Sequence, residues 1–333
     1  MWETIIGHYQ NTTMLQKMLA GKRLPHALLF VGPPGIGKAL VAKSLAASLL
    51  CGGTSPCGYC SSCLALARQN HANLLIITPD GASIKIDQIR AIQHEIAMRS
   101  SSGQARVCMI EDAGKMTKEA ANSLLKMLEE PPEHFYFILT VTSIHAVLNT
   151  ILSRCLVMKF LPLVPEQMIA ALQLKGFSRE QAAVAARLSG GRLGKAFELL
   201  APSGLKLRDE AMQLAAVITE QSGVWLFRAV GALDKRESAE LGQLLGFLSG
   251  IFRDLTIVRI TGNCELVFNA DKEEQLQELA VSWHDKALVA AVKRIYSAER
   301  AIASNANMRL TWEALLIELA DLAKEGRESC CIR

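Results

Sequence analysis

Apolar residues are laid out along this chain in two styles. Up to about residue 160, short apolar and β-branched runs alternate with stretches of helical period. The runs Ala27–Val31, Leu74–Ile77, Arg106–Ile110, Phe135–Val141 and Leu156–Phe160 read as strands, the second of them buried and closed by Pro79-Asp80-Gly81. Helical period is expected over residues 1–25, with Met14, Leu15, Met18 and Leu19 on one face, and again over 40–50, 87–99 and 118–130. Pro131-Pro132 stops the last of these, and Ser100 to Gly103 reads as a loop. Strands apolar on both faces, each followed by a helix, predict an α/β fold with a parallel sheet covered on both sides.

After Pro162 the second style takes over and no further strand is expected. Ser178-Arg179-Glu180-Gln181 has the form of a capping box, opening a helix that ends near Gly190-Gly191. A short helix follows from Leu193 to Leu200, and Pro202-Ser203-Gly204 reads as a linker. Helical patterns then continue to Gly326, the last two near 284–304 and 309–324. The expected division is an α/β nucleotide-binding-type domain over 1–162, a small helical lid over 163–202 and a larger helical domain over 203–333.

Composition adds bounds. The chain has 333 residues, half of them hydrophobic, and a net charge of +4, which fits a globular protein with a large core. Its apolar runs fall short of a membrane span, and Met1-Trp2-Glu3-Thr4 is unlike a secretory leader, so a cytoplasmic protein is expected. The mild positive charge permits contact with nucleic acid without arguing for it.

The chemistry centres on Gly32-Pro33-Pro34-Gly35-Ile36-Gly37-Lys38-Ala39. Strand before, helix after and this glycine spacing make a P-loop, whose backbone N–H groups face phosphate oxygens while Lys38 adds a cation. The hydroxyl residue that would hold Mg²⁺ after the lysine is Ala39, and a methyl cannot ligate a metal. Glu111-Asp112 closes the third strand where an acidic pair would serve Mg²⁺ and the attacking water. The usual order is Asp then Glu. Reversal leaves the second carboxylate one methylene short, and a misplacement of about 1 Å costs on the order of a hundredfold in rate. A helix-start pair without a metal role is the alternative. Thr142 and Ser143 end the fourth strand, where a polar side chain can sense a γ-phosphate. Arg154, between Ser153 and Cys155, is either a solvated loop arginine or a finger that acts on a neighbouring phosphoryl group.

Cysteines supply a second feature. Cys51, Cys57, Cys60 and Cys63 crowd into a Gly- and Pro-rich stretch, with spacing suited to structural zinc; reduced thiols or a redox pair are the alternatives. Cys108, Cys155, Cys264, Cys330 and Cys331 show no ligand spacing.

Several segments, in order, resemble one family. Pro25-His26-Ala27-Leu28-Leu29-Phe30, Asn122-Ser123-Leu124-Leu125-Lys126-Met127-Leu128-Glu129-Glu130-Pro131-Pro132 and Thr150-Ile151-Leu152-Ser153-Arg154-Cys155 are similar to bacterial DNA polymerase III clamp-loader subunits of the AAA+ superfamily. So are the cysteine module and, toward the end, Asn305-Ala306-Asn307-Met308-Arg309-Leu310 with Trp312-Glu313-Ala314-Leu315-Leu316. The resemblance implies a helical collar in the last domain that assembles with tau/gamma and delta subunits into a hetero-pentamer. That assembly holds a sliding clamp open on primer–template DNA. Within the family, one branch is the ATP-hydrolysing motor and the other a more rigid companion with a decayed nucleotide site and a retained Ser-Arg-Cys motif. Ala39 and Glu111-Asp112 point to the companion, as does Gly194 at the place of the motor's sensing arginine, with Arg192 or Lys195 the alternatives for that role. For it the resemblance implies Arg154 acting in trans, weak or absent hydrolysis of its own, ATP or ADP as a structural ligand, doubtful Mg²⁺ and a structural zinc. No residues for nucleotide addition stand out, so a polymerase label would come only from the holoenzyme. The rivals are a motor-type ATPase and a zinc-containing DNA-binding protein with a vestigial P-loop.

Overall fold

The computed structural model describes residues 2–98, 103–201, 204–220, 231, 236–304 and 306–328. Most of the expected loop at 100–103, Pro202 and Ser203 of the linker, Asn305, Cys330 and Cys331 lie outside the described residues. The chain divides into two compact units, one of residues 1–175 with 190–195 and one of 176–189 with 196–333.

The first unit is built on a five-stranded, fully parallel sheet in the order β2-β3-β4-β1-β5. Its strands are β1 (Ala27–Val31), β2 (Leu74–Ile77), β3 (Arg106–Ile110), β4 (Phe135–Val141) and β5 (Leu156–Lys159). Alternation sends Ala27, Leu29 and Val31 of β1 to one face and Leu28 and Phe30 to the other. On the first face they meet α4 (Ile86–Met98) and α5 (Lys118–Glu129), through Ile89, Ile92, Leu124 and Leu128. On the second they meet α1 (Tyr9–Ala20) and α2 (Lys38–Cys51), through Leu15, Val41 and Leu45. Both sides of the sheet are therefore covered, as the doubly apolar strands require.

Several local expectations need correction. Residues 1–25 are not one helix: Trp2–Thr4 form a 3-10 turn and α1 starts only at Tyr9, with Leu15 buried and Met14 exposed. Strand β2 is an edge strand with Ile76 exposed, because only β3 flanks it. Two helices went unforeseen. Helix α3 (Ser61–Ala67) is hidden inside the cysteine-rich stretch, and a helix opening on Pro165 runs from Pro165 to Gln173 as α7, with the short α6 (Asn149–Leu152) between α5 and α7.

The second unit is helical throughout its described residues. The capping box opens α8 (Arg179–Ser189): the Ser178 N–H donates to Gln181 Oε1 and the Gln181 N–H to Ser178 Oγ, both at 3.2 Å. After α9 (Leu193–Leu200) come α10 (Gly204–Glu220), α11 (Ser238–Thr261), α12 (Glu273–Val281), α13 (Asp285–Ala303) and α14 (Met308–Glu328). Leu244, Leu248, Ile251, Phe252 and Leu255 of α11 form the middle of a core completed by Leu288 and Ile295 of α13 and Trp312 and Leu316 of α14. By length and composition alone α11 would suffice to cross a membrane, contrary to the expectation that no apolar run approaches a span. In this fold its apolar side is core. It also carries Asp254, fully buried, which accepts N–H bonds from Phe268 at 3.0 Å and Asn269 at 2.9 Å and pairs with Arg253 at 2.9 Å.

Candidate functional site

The P-loop leaves the end of β1 and turns into α2. Gly32 donates its N–H to the Val141 carbonyl at 3.1 Å and lies so close to β5 that a Cβ there would sit 2.5 Å from the Phe160 carbonyl oxygen. Gly35 and Gly37 take φ of 74° and 109°, which side-chain-bearing residues rarely adopt. Helix α2 then starts at Lys38, and the N–H groups of its first turn face outward with the positive end of the helix dipole.

Around this loop the fold has placed internal partners. The buried Lys38 ammonium donates to the carbonyls of Gly32 at 2.6 Å and Pro33 at 2.9 Å. Burial pulls its pKa down, opposed by the charge of Asp112. His8 Nε2 bonds the Ile36 carbonyl at 2.9 Å, and its ring stands edge-on to Phe160. Because its partner is a carbonyl oxygen, Nε2 is the donor, and burial lowers the pKa of His8 against the pull of this bond. The Gly194 N–H donates to the Gly35 carbonyl at 2.7 Å, and a Cβ on Gly194 would come within 2.9 Å of that oxygen. An arginine at position 194 would have to break this contact. Ala39 is half-buried in the first turn of α2.

The acidic pair follows β3. The Glu111 N–H extends the ladder to the Ile77 carbonyl at 2.9 Å. Asp112 turns away at φ 52°, donates its N–H to Thr140 Oγ1 at 3.2 Å, and pairs its carboxylate with Lys115 at 3.4 Å. Asp112 is thus near enough to Lys38 to act on it, yet already has a cation of its own. Thr142 lies exposed beyond β4, and Ser143 is used as a cap, accepting from the His145 N–H at 3.3 Å. The threonine that touches the acidic pair is Thr140. The lone polar residue in the buried stretch of β4 was a signal for it; His8 and the Gly194 contact left none.

Arg154 stands on the turn after α6. Its N–H donates to the Ile151 carbonyl at 3.1 Å, and Nη1 donates to the Thr150 carbonyl at 2.8 Å and Ser153 Oγ at 3.2 Å. Nη2 pairs with Glu129 at the end of α5, and the Arg154 side chain is a third exposed.

Cys51, Cys57, Cys60 and Cys63 bring their sulfurs within 4.8 Å of one another. The Cys57–Cys63 and Cys51–Cys60 pairs are each 3.9 Å apart, close to the edge of about 3.8 Å that a tetrahedron with Zn–S bonds of about 2.3 Å requires. Backbone N–H groups of Cys57, Cys60 and Cys63 point at the sulfurs of Cys51, Cys57 and Cys60, at 3.3 to 3.4 Å. The Cys57 thiol, receiving N–H bonds from Tyr59 and Cys60, is lowered to about 6, whereas Cys51, despite the Cys57 N–H, is pushed up to about 12 by burial and its neighbouring thiols, and burial raises Cys63. The donor set fits a metal ion. Trp2 fastens the base of this module, donating from Nε1 to Ser48 Oγ at 2.9 Å and the Thr54 carbonyl at 3.1 Å.

Residues 7–164 match the family model described as DNA polymerase III, delta subunit. The DNA polymerase III subunit delta' of Bacillus subtilis (strain 168) is 29% identical over 315 residues, spanning 92% of this chain and 94% of that one. The chain is homologous to the delta-prime subunit of the DNA polymerase III clamp loader. Its homology to delta-prime runs almost end to end. The B. subtilis tau subunit is 36% identical over 158 residues, 46% of this chain, and this chain spans only 28% of tau. A gamma/tau subunit of Mycobacterium tuberculosis (strain ATCC 25618 / H37Rv) is 37% identical over 172 residues, 50% of this chain and 30% of its own length. A gamma subunit-related protein of Thermotoga maritima aligns over 94% of this chain and 99% of its own at 18% identity, with a TM-score of 0.44, too distant to add to the assignment.

Proposed function

We propose that this chain works as the delta-prime subunit of a bacterial clamp loader, in the cytoplasm. It joins tau/gamma and delta subunits in a hetero-pentamer that holds a sliding clamp open on primer–template DNA. The observation that carries this reading is the match to delta-prime through nearly the whole of both chains, where tau and gamma match only half. Residues 1–162 act as the nucleotide-type domain, 163–202 as a lid and 203–333 as the collar.

In this reading the subunit's own site binds but does not turn over nucleotide. The N–H groups from Gly32 to Ala39, with Lys38, are enough to hold phosphates, so ATP or ADP serves as a structural ligand. Ala39 leaves no hydroxyl for Mg²⁺, and the Asp112 carboxylate is paired with Lys115, so hydrolysis by this chain is weak or absent. Arg154, a third exposed on its turn, reaches the ATP site of a neighbouring motor subunit and stabilises the charge on the transferred phosphoryl group. Cys51, Cys57, Cys60 and Cys63 hold a structural zinc, which ties the end of α2 to α3; Cys63→Ser removes the metal, read as zinc per chain.

The test is reconstitution. Mixed with tau/gamma, delta and clamp, this chain is expected to enter a single complex whose ATPase rises on adding clamp and primed DNA. A complex that forms and runs at full rate without this chain would overturn the proposal.

A further inference from the structure

We infer that Glu129 is a positioning residue for Arg154, and that three separate sequence motifs form one bracket for that guanidinium; this rests on the finger reading above. The bracket begins at His26, just before β1, whose Nε2 bonds the Leu128 carbonyl at 3.1 Å. That contact pins the last turn of α5, a helix otherwise seated by Leu124 and Leu128 in the core under the sheet. Glu129 is the final residue of α5, so its carboxylate projects from a fixed backbone. It meets Arg154 Nη2 across 25 positions of sequence. The other side of the guanidinium is held by the Thr150 carbonyl and Ser153 Oγ through Nη1.

Arginine carries five N–H donors in a rigid plane. Three hydrogen bonds use three of them, leaving two for a phosphoryl oxygen among the described residues. An exposed ion pair contributes little to stability, but that is not the role assigned here. A long side chain must surrender rotamer freedom to reach a phosphate, and Glu129 takes that cost before the partner arrives. One carboxylate anchored to a helix end sets the plane of the fork while its open edge stays outward. The motif around Glu129 then acquires a reason to sit beside the Ser153-Arg154-Cys155 turn.

The experiment is a double-mutant cycle in the reconstituted complex, reading kcat and KM for clamp- and DNA-stimulated ATP hydrolysis. Glu129→Ala is expected to lower kcat about tenfold, with KM for ATP and complex assembly unchanged, since a positioning loss is a fraction of the finger's own effect. Glu129→Gln, which keeps an acceptor oxygen, recovers part of the rate. In an Arg154→Ala background Glu129→Ala has no further effect. If Glu129→Ala keeps the full rate while Arg154→Ala is slow, the inference fails and the finger stands. If Glu129→Ala slows both backgrounds equally, Glu129 is only structural. If Arg154→Ala itself keeps the full rate, the finger reading falls and this inference with it.

Discussion

At the P-loop, the polar groups that the fold gathers are committed within the chain. Lys38 is bound to the Gly32 and Pro33 carbonyls, the Gly35 carbonyl to Gly194, the Ile36 carbonyl to His8, and Asp112 to Lys115. At the turn after α6 the outcome differs. Arg154 is fastened through both Nη atoms, by Thr150, Ser153 and Glu129, and its side chain stays a third exposed. The two regions belong to one compact unit. On the reading proposed above, their difference divides the labour of a two-sided site: the phosphate loop, with Ala39 in place of a hydroxyl, serves shape, and the arginine serves another molecule.

The comparison can be broken first at its outward end. Arg154→Ala should lower clamp- and DNA-stimulated turnover of the assembled complex by about a hundredfold or more, within the range of arginine fingers in other phosphoryl-transfer systems. Arg154→Lys should recover little of it, because an ammonium cannot present a planar fork while staying bonded to Glu129 and Thr150. Recovery by lysine would reduce the finger to a point charge.

A smaller effect tests the closed end. Gly194→Ala replaces a poor helix former with the best one, but in the first turn of α9, where the gain is below the figure of about 1 kcal/mol for a helix interior. Its Cβ would nonetheless meet the Gly35 carbonyl oxygen at 2.9 Å, so a net loss of about 1–3 kcal/mol is expected, seen as a lower Tm in calorimetry. A rise in Tm would mean that the contact between residue 194 and the P-loop does not hold in solution.

The smallest expected effect is the pH dependence of His8. Burial lowers its folded pKa below the reference value of 6.5, so below that pH the unfolded chain binds more protons than the folded one. Stability contributed by the neutral ring is complete above 6.5 and falls as acid carries the pH toward the folded value. His8→Gln should flatten this part of the stability profile, measured by denaturant unfolding across that window. An unchanged slope would place the titrating group elsewhere.

How much of this was legible in advance follows from the range over which each feature is set. The strands of the first unit are short runs, mostly apolar, paired with other mostly apolar runs, so pattern alone located them to within a residue. The P-loop and the four cysteines are local in sequence, and the fold delivers them where spacing implies. The edge position of β2 was not legible, since order in a sheet is decided by neighbours far along the chain. Nor was the length of α11 as a core helix, because polar interruptions such as Arg253 and Asp254 mask it from a reading of uninterrupted runs. His8, Thr140, Gly194 and Glu129 act through contacts spanning 25 to 159 positions, and nothing beside them in sequence announces the partner. Only a polar threonine in an apolar strand gave a hint.

The most direct test of the central claim sets two substitutions in this chain against each other in the same assembled complex. Stimulated ATP turnover is measured with Lys38→Ala and with Arg154→Ala. If the chain donates to a neighbour's site and does not run its own, Lys38→Ala stays within about twofold of wild type while Arg154→Ala falls by about a hundredfold or more. A complex that tolerates Arg154→Ala and is disabled by Lys38→Ala would contradict the account and make this chain a motor.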